Sequence, residues 1–557
     1  MSALDSKINS IFAGKVVRKD LTSIIKGNAV VPTYVLEYLL GQYCATDDEQ
    51  TINNGINLVK DIIAQHFVHR DESEIVKSMI REKSNHRIID KISVKLNDKL
   101  DRYEANLTNI GLNRIPINDS YIKDYPKLLS EGVWALINIS YQAIEERNSL
   151  PWIIEGLKPI QISNIDINEY KELRDQITKD EWIDLLMQTI GLNPTEFTYR
   201  SKLIQLSRLI PYAENNYNLI ELGPKGTGKS HIYSELSPHG ILISGGEVSK
   251  AKLFVNNTTG EIGLVGYWDV VAYDEFAGKS KNTDRGLVDI LKNYMAQKSF
   301  SRGTNVYQAE ASMVFVGNTD HSVNYMIKHT NLFNALPKDY YDTAFLDRIH
   351  CYIPGWEVKK LRSDMFSSSY GFIVDYLAEV LKAIRKEDYS KLYQEHFELS
   401  PSLTTRDKTA IEKTFSGLVK IIYPNGKLSR NDVKELLDFS VECRKRVKDQ
   451  LVKMDETFKD DNVRFEYNDK DGTKYAIETL ENIHFNVPSE NTHVKLESEE
   501  NETIESENQI YLKPKHLEIR DNQTNISYDL LFGEYLKGAK NIKIVDPYIR
   551  LPYQIKN

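Results

Sequence analysis

Cysteine is scarce: Cys44, Cys351 and Cys443 are the three in 557 residues, far apart and in no ligand spacing. That excludes a disulfide framework and a zinc cluster, and fits a reducing cytoplasm. Long apolar runs are also missing. No 18-residue stretch is apolar enough for a membrane span, and Met1 to Ser6 lack the basic-then-apolar order of a signal peptide. Nor is there a basic excess. The net charge is −9, so nucleic acid would have to be met by local basic patches rather than a global field. Apolar (41%) and charged (27%) fractions are ordinary for a globular chain, and the length calls for about three domains.

What the chain does carry is a phosphate-binding loop. Gly223, Pro224, Lys225, Gly226, Thr227, Gly228, Lys229 and Ser230 fit G-x-x-x-x-G-K-[ST] behind the apolar run Leu219, Ile220 and Leu222. The glycines let backbone N–H groups curl around a phosphate, Lys229 reaches the β/γ-phosphates, and the Ser230 hydroxyl can ligate Mg²⁺. A helix opening near Lys229 would turn its positive end to the anion. Further on, Asp269 to Phe276 reads as a buried strand ending in Asp274 and Glu275. Asp274 is placed to hold Mg²⁺ and Glu275 to polarise the attacking water. Ser312 to Asn318 is another buried strand, and its terminal Asn318 can orient that water or touch the γ-phosphate. Ala344 to Ile349 presents Arg348 at a helix end, where it can enter a neighbour's site and stabilise the transferring phosphoryl group. Residues 401–454 read as a helical lid, and Arg430, at a helix start, is the candidate second phosphate sensor, in competition with Arg444 and Arg446.

The flanks are less specific. Near the N-terminus a basic patch (Lys15, Arg18, Lys19, Lys26) precedes a helix over Val35 to Tyr43 that starts at Pro32. Residues 85–104 read as an amphipathic helix: Ile89, Ile92, Leu96, Leu100 and Tyr103 form one stripe, and Arg87, Lys91, Lys95 and Lys99 recur every four residues on another. Such a row can track a phosphate backbone, although interleaved Asp90, Asp98 and Asp101 make a solvated face the plainer reading. Strands are expected over 132–141 and 159–163, helices over 167–210, and hairpins over 252–265, with its tip at Asn257, and over 298–307, carrying Lys298 and Arg302. A small β-pair is expected around Asp469 to Gly472. Glu497 to Glu507 reads as a disordered linker, with a helix near 528–536 and a strand at 542–545 beyond it.

In order, the P-loop, the Asp-Glu strand, the Asn-ended strand and Asp347-Arg348 resemble the AAA+ ATPases. Thr259-Gly260-Glu261, Asp274-Glu275-Phe276, Asp284-Arg285 and Phe345 to Ile349 are similar to the core of MCM helicases, which implies two hairpins gripping DNA in a ring's central pore. Over residues 1–450, Phe12 to Leu21, Glu221 to Ser230 and Val265 to Glu275 resemble the BrxL family, the Lon-like AAA+ proteins of BREX anti-phage systems. This implies a prokaryotic, cytoplasmic ring of six or seven copies, single or stacked, that uses ATP and Mg²⁺, binds DNA and works with other BREX components. The expected fold is an α/β AAA+ P-loop core with an N-terminal α+β DNA-binding domain and a small C-terminal appendage. Its expected divisions are 1–165, core 166–400, lid 401–455, linker 456–508 and appendage 509–557. No segment resembles the Ser–Lys protease of Lon, so proteolysis is not expected. Gly538 to Tyr553 instead resembles the opening of an MIT C-terminal, phospholipase-D-like domain, implying a truncated copy or a remnant. The alternative activity is a Lon-type unfoldase without its own protease, against which the polar tip Asn256 to Gly260 speaks.

Overall fold

The computed structural model describes residues 3–484 apart from 27–30, 45, 47, 130–131, 143–149, 163–164, 245–247, 257–259, 261, 277–284, 303–304 and 460–462. Asn257, Asp284, the glutamate-rich tract 497–507 and the C-terminal segment 509–557 with its expected helix and strand thus lie outside the described residues.

The centre is a five-stranded sheet in which every pairing is parallel. Its spatial order is Cys351–Pro354, Asn218–Gly223, Ser312–Asn318, Val270–Tyr273, Gly240–Ile243. The P-loop strand and the Asp-Glu strand are therefore not adjacent; the Asn-ended strand lies between them. Runs such as Val270-Val271-Ala272-Tyr273 are apolar throughout because both sheet faces are covered. The period of two sorts them. Leu219, Val270, Ala272, Val314, Val316, Cys351 and Ile353 enter one core, and Ile220, Leu222, Val271, Tyr273, Met313, Phe315 and Tyr352 enter the other.

At the sheet's lower end, the Asn218 backbone N–H donates to His350 Nδ1 (2.8 Å), and the His350 N–H returns a bond to the Asn218 carbonyl (2.8 Å). Tyr217 stacks on the imidazole with ring centroids 5.5 Å apart. Burial, then the charges of Lys413 and Arg444, holds this histidine's pKa well below its ordinary value. It is thus neutral when folded, whereas the unfolded chain takes up a proton as pH falls through about 6.5. Its contribution to stability is complete above that pH and is lost below it. His350→Asn keeps an acceptor for Asn218 and does not titrate. Between pH 7.5 and 5.5 the parent should lose about 1.4 kcal/mol more unfolding free energy than the variant, measurable by urea denaturation.

The lid consists of Thr405–Ile422 and Arg430–Met454, packed on the sheet and on each other. Ser429 opens the second helix with a capping box to Asp432. A three-stranded antiparallel sheet flanks it, formed by Phe397–Leu399, Glu466–Asp469 and Lys474–Ala476. The β-pair expected around Asp469 to Gly472 is its outer hairpin.

The N-terminal region corrects one reading outright. Residues 85–97 are a strand, not a helix, paired with Arg102–Leu107 on one side and Val133–Tyr141 on the other. With Leu112–Pro116 and Trp152–Pro159 they form a five-stranded antiparallel sheet. The strand expected over 159–163 is thus displaced to 152–159. A recurrence every four residues belongs to a period of two as much as to one of 3.6, and β-branched Ile88, Ile89, Ile92 and Val94 settle the choice. Ile88, Asp90, Ile92 and Val94 point inward. Asp90 is a buried carboxylate that accepts the backbone N–H groups of Asn109 and Ile110, pinning the turn after 107; burial raises its pKa. Leu96 and Leu100, expected on the buried stripe, are exposed at the hairpin end.

Residues 3–43 pack elsewhere, while the helix Glu49–His66 meets strand 85–97, with His66 Nδ1 3.0 Å from the Arg87 carbonyl. Val16–Arg18 pairs antiparallel with Tyr370–Phe372, and Thr33–Tyr43 forms the expected helix against Val374–Ile384. Three residues of the early basic patch are consumed in this packing: Lys15 pairs with Glu169, Arg18 with Asp20 and Glu49, and buried Lys19 with Glu37, while the Lys26 side chain lies outside the described residues. The first insertion also departs from expectation. Ser249 caps a short helix, Lys250–Leu253, and among the described residues the hairpin has one bridge, Val255 with Ile262. Gly263 closes it: a Cβ there would lie 2.5 Å from the Leu253 carbonyl carbon.

Candidate functional site

The P-loop leaves the sheet at Gly223, where the backbones of two segments touch. A Cβ on Gly223 would stand 2.5 Å from the Gly355 carbonyl carbon, so the chain after the edge strand lies directly on the loop. The Leu361 N–H then donates to the Gly226 carbonyl (2.9 Å). Gly226 (φ +81°) and Gly228 (φ +75°) adopt left-handed backbone, the turn that exposes successive N–H groups as an anion nest. Lys229 begins the helix Lys229–Glu235, and its Nζ donates to the Pro224 carbonyl at 2.7 Å. Burial lowers its pKa; Glu221 and Asp274 oppose that shift, and Arg208 adds to it. The half-buried Ser230 hydroxyl has no hydrogen-bond partner among the described residues.

Beneath the loop is a pair that motif reading passes over. Glu221, in the middle of the P-loop strand, is fully buried and meets Arg208 in a two-pronged ion pair (2.9 and 2.6 Å). Arg208 also donates to the Thr227 carbonyl at 3.3 Å, fixing the loop from behind. A lone glutamate in an apolar central strand was the available signal, since an unpaired charge there would be prohibitive.

Asp274, Glu275 and Asn318 arrive at the same upper edge. Asn318 is in register with Gly223, and Phe315 with Tyr273, one residue before Asp274. The Asp274 carboxylate accepts the Glu275 N–H (2.8 Å), and the Phe276 N–H donates to the Val316 carbonyl (2.9 Å). Between these anchors Glu275 is exposed and held at φ +52°, a strained region for a side-chain-bearing residue. The Asn318 amide has no hydrogen-bond partner among the described residues. Loop, lysine, hydroxyl, carboxylates and amide together fit a nucleoside triphosphate with Mg²⁺, with Ser230 and Asp274 as the metal's protein oxygens.

Two expected site residues lie apart from this edge. The Arg348 carbonyl accepts from Asn218 Nδ2 (3.0 Å), at the opposite end of the P-loop strand from Gly223. Five residue steps separate those ends, roughly 17 Å. Arg430 is occupied within the lid, pairing with Asp469 and lying over Phe397 (5.6 Å), and no contact of it with the loop is seen among the described residues. Arg444 and Arg446 are buried in ion pairs, the first with Asp347 and Asp407, the second with Glu442 and Glu481.

The residues proposed to meet DNA separate into two groups. Ser299–Arg302 and Asn305–Gln308 form the expected second hairpin, with exposed Lys298 at its base. Arg302 ends its first strand, and its side chain lies outside the described residues. Phe254, at the root of the first insertion, packs on Phe300 (4.9 Å), which stacks on Tyr307 (5.6 Å), so the two insertions share one aromatic base. Arg87, Lys91 and Lys95 share one face of their strand and span roughly 27 Å, about twice the helical spacing. Lys99 follows in the turn. Arg87 is held by Asn138 (3.1 Å), while Lys91 lies over Trp268 (5.3 Å), just before the Asp-Glu strand.

A parallel sheet with a P-loop at its carboxyl edge, and a strand inserted before the Asp-Glu strand, defines an α/β P-loop ATPase. Residues 152–464 match the family described as Lon-like protease BrxL-like, ATPase domain, and residues 10–141 match the BREX system Lon protease-like protein BrxL N-terminal family. The chain belongs to the BrxL family. It is 50% identical over 456 residues to the Lon-like protease BrxL of Bacillus cereus (strain H3081.97), covering 82% of this chain and 67% of that protein. To the Lon-like protease BrxL of Escherichia coli O9:H4 (strain HS) it is 46% identical over 489 residues, 87% of this chain and 69% of the other. Residues 525–557 match the phospholipase D-like domain at the C-terminus of MIT. Among the described residues no helix is long and apolar enough to cross a membrane.

Proposed function

We propose that this chain is a ring-forming AAA+ ATPase of a BREX-type defence system, in which ATP hydrolysis clamps or moves DNA held by the two insertions and the N-terminal sheet. The observation that carries the ring is the placement of Arg348. An arginine whose backbone lies at the far end of the P-loop strand, roughly 17 Å of strand from Gly223, fits a finger offered to another copy. Gly226, Gly228 and Lys229 bind the phosphates, and Ser230 and Asp274 hold the metal. Glu275 takes the proton of the attacking water, Asn318 orients it, and Arg348 comes from the neighbour. Bound Mg²⁺ would neutralise charge on the β- and γ-phosphates. For DNA, the support is the exposed basic row together with the shared base of the insertions, through which a shift at the Asp-Glu strand reaches both at once.

Charge reversal at Arg87, Lys95 and Lys99 tests this, leaving Lys91 with Trp268. DNA affinity at physiological salt should fall at least about tenfold, and the log–log salt slope by about 0.9 for each phosphate no longer neutralised. Unchanged slope and affinity would remove the sheet from the DNA interface. A second reading, an unfoldase that threads polypeptide, has Val306 in its favour, 71% exposed on the second hairpin beside Tyr307. ATPase stimulation by DNA and not by an unfolded protein decides for the first reading; the reverse decides for the second.

A further inference from the structure

One helix carries a line of charge from the N-terminal sheet to the lower end of the core sheet. Val374–Ile384 places Asp375, Glu379 and Lys382 on one face, and Arg385 follows at its C-terminal cap. Asp375, Glu379 and Arg385 are buried. In the first turn, Asp375 Oδ2 accepts the N–H of Ile162, just past the strand Trp152–Pro159. One turn on, Glu379 is a bridge. Its Oε2 pairs with Lys127 (2.7 Å), from the turn Pro126–Leu129 of the N-terminal sheet, and its Oε1 meets His239 Nε2 (2.7 Å). Lys127 also donates to the Ile162 carbonyl (2.9 Å). Lys382 Nζ lies 3.2 Å from His239 Nδ1, which leaves the ring proton on Nε2 for Glu379. His239 precedes the strand Gly240–Ile243, and its carbonyl accepts the N–H groups of Asp269 and Val270 (3.0 and 3.2 Å), where the Asp-Glu strand starts. Arg385 gathers the remaining strand starts. Its Nη2 donates to the carbonyls of Asp269 (3.0 Å) and Glu310 (2.7 Å) and to Ser312 Oγ (3.3 Å). Its Nη1 donates to the carbonyls of Pro211 (2.7 Å) and Tyr212 (3.3 Å), and its Nε to Asn215 Oδ1, all on the approach to the P-loop strand.

We propose that this helix couples the N-terminal sheet to the nucleotide site: a shift of the sheet on binding DNA passes through Lys127 and Glu379 to the amino ends of the core strands. This rests on the DNA-binding reading above. The P-loop, Asp274 with Glu275, and Asn318 stand at the carboxyl ends of three of those strands, and strands bonded side by side move as stiff units. The helix is about 16 Å long, and its two ends differ. At the core end every nitrogen of the Arg385 guanidinium is bonded, so slack is absent. At the sheet end Asp375 Oδ1 is buried with no partner among the described residues. Burial raises the pKa of Asp375 to about 6; the Ile162 N–H opposes that shift, Glu379 adds to it, and the charges of Lys127 and His239 oppose it. An ionised carboxylate with an open oxygen disfavours this arrangement, and a displacement that brings it a donor is favoured. There is room for one: a cleft bounded by Tyr125, Lys127, Gln161, Ile162, His239 and Glu379 opens at this joint. A strained joint on a rigid helix supplies the element with two arrangements that coupling requires.

The test reads three quantities on the full-length chain: basal kcat, affinity for a short DNA duplex, and the factor by which saturating duplex changes kcat. Lys127→Met keeps the apolar stem and removes the ammonium. It should retain the parental basal kcat and duplex affinity, while the effect of duplex on kcat falls from at least about fivefold to none. The factor by which a non-hydrolysable ATP analogue changes duplex affinity should fall with it, because coupling between binding sites is reciprocal. Lys127→Arg, which keeps the charge, should recover most of both. Asp375→Asn keeps the bond to Ile162 and removes the buried charge, so it serves where Lys127→Met does not fold. It should respond to duplex by a smaller factor at parental affinity, and a parental response in it overturns the proposal. A parental response in Lys127→Met overturns the proposal alone, leaving the DNA reading intact. Lost duplex affinity in Lys127→Met would place the lysine in the DNA interface, and a lowered basal kcat with an unchanged factor would make it a support of the fold; each overturns the coupling. A parent that binds duplex with no change in kcat overturns it too. A parent that binds no duplex removes the DNA reading and this inference together.

Discussion

Arg348→Ala is expected to bind ATP as tightly as the parent and to hydrolyse it at least about a thousandfold more slowly, the lower range for a lost arginine finger. The fold does not depend on the deleted atoms. The hydrogen bond that holds the sheet's lower end is the Arg348 carbonyl on Asn218 Nδ2, which alanine retains. The guanidinium bonds only the short helix Thr343–Leu346 just before it, at Ala344, among the described residues. An unchanged unfolding midpoint should therefore accompany the lost turnover. Mixing the variant with Lys229→Ala separates a finger from a local defect. Lys229→Ala lacks the ammonium that reaches the phosphates but carries an intact Arg348, so mixed rings contain sites with every part present. ATPase activity should rise from near zero in each alone to a fraction set by the mixing ratio. Two inactive pools that stay inactive when mixed would show that Arg348 does not complete another copy's site.

The P-loop and the Asp-Glu and Asn-ended strands were legible in sequence because each is local: a loop with obligate glycines, or an apolar run closed by one polar residue. Even the strand order is consistent with their reading, since Asn318 ends level with Gly223. Tertiary pairing was not legible. Asp347 looks like any acid beside an arginine until Arg444, almost a hundred residues later in the chain, is seen on its Oδ1. Arg430 had the expected position at a helix start, yet Asp469, from a hairpin read only as a loose β-pair, occupies it. The helix assigned to 85–104 failed because its charges recur at four, twice the strand period and close to one helical turn; the discriminating positions were Ser93 and Val94, which fit a strand's alternation and break a helical stripe. The start of the insertion expected over 252–265 departs for a different reason: Ser249 and Lys250-Ala251-Lys252-Leu253 favour a capped helical turn.

Glu275→Gln should fold, assemble and bind ATP, and lose about 10²–10⁴ in turnover, the range for removing a positioned general base. The substitution leaves shape and size alone. It keeps the Glu275 N–H that Asp274 accepts, and the Phe276 N–H on Val316 still fixes the far side. The exposed side chain stands on backbone held at φ +52°. Such a conformation disfavours a side-chain-bearing residue by about 1–2 kcal/mol, held here because both neighbours are bonded into the sheet. Glycine would adopt it without that strain. Glu275→Gly should therefore lose turnover as Glu275→Gln does and yet unfold at the same temperature as the parent or higher, the gain being offset in part by glycine's larger unfolded-state entropy. Single-turnover ATPase measurements and thermal unfolding of both variants read the two effects separately. Normal turnover in Glu275→Gln would take the general base away from this position, and a destabilised Glu275→Gly would show that the carboxylate, not the backbone, holds the turn.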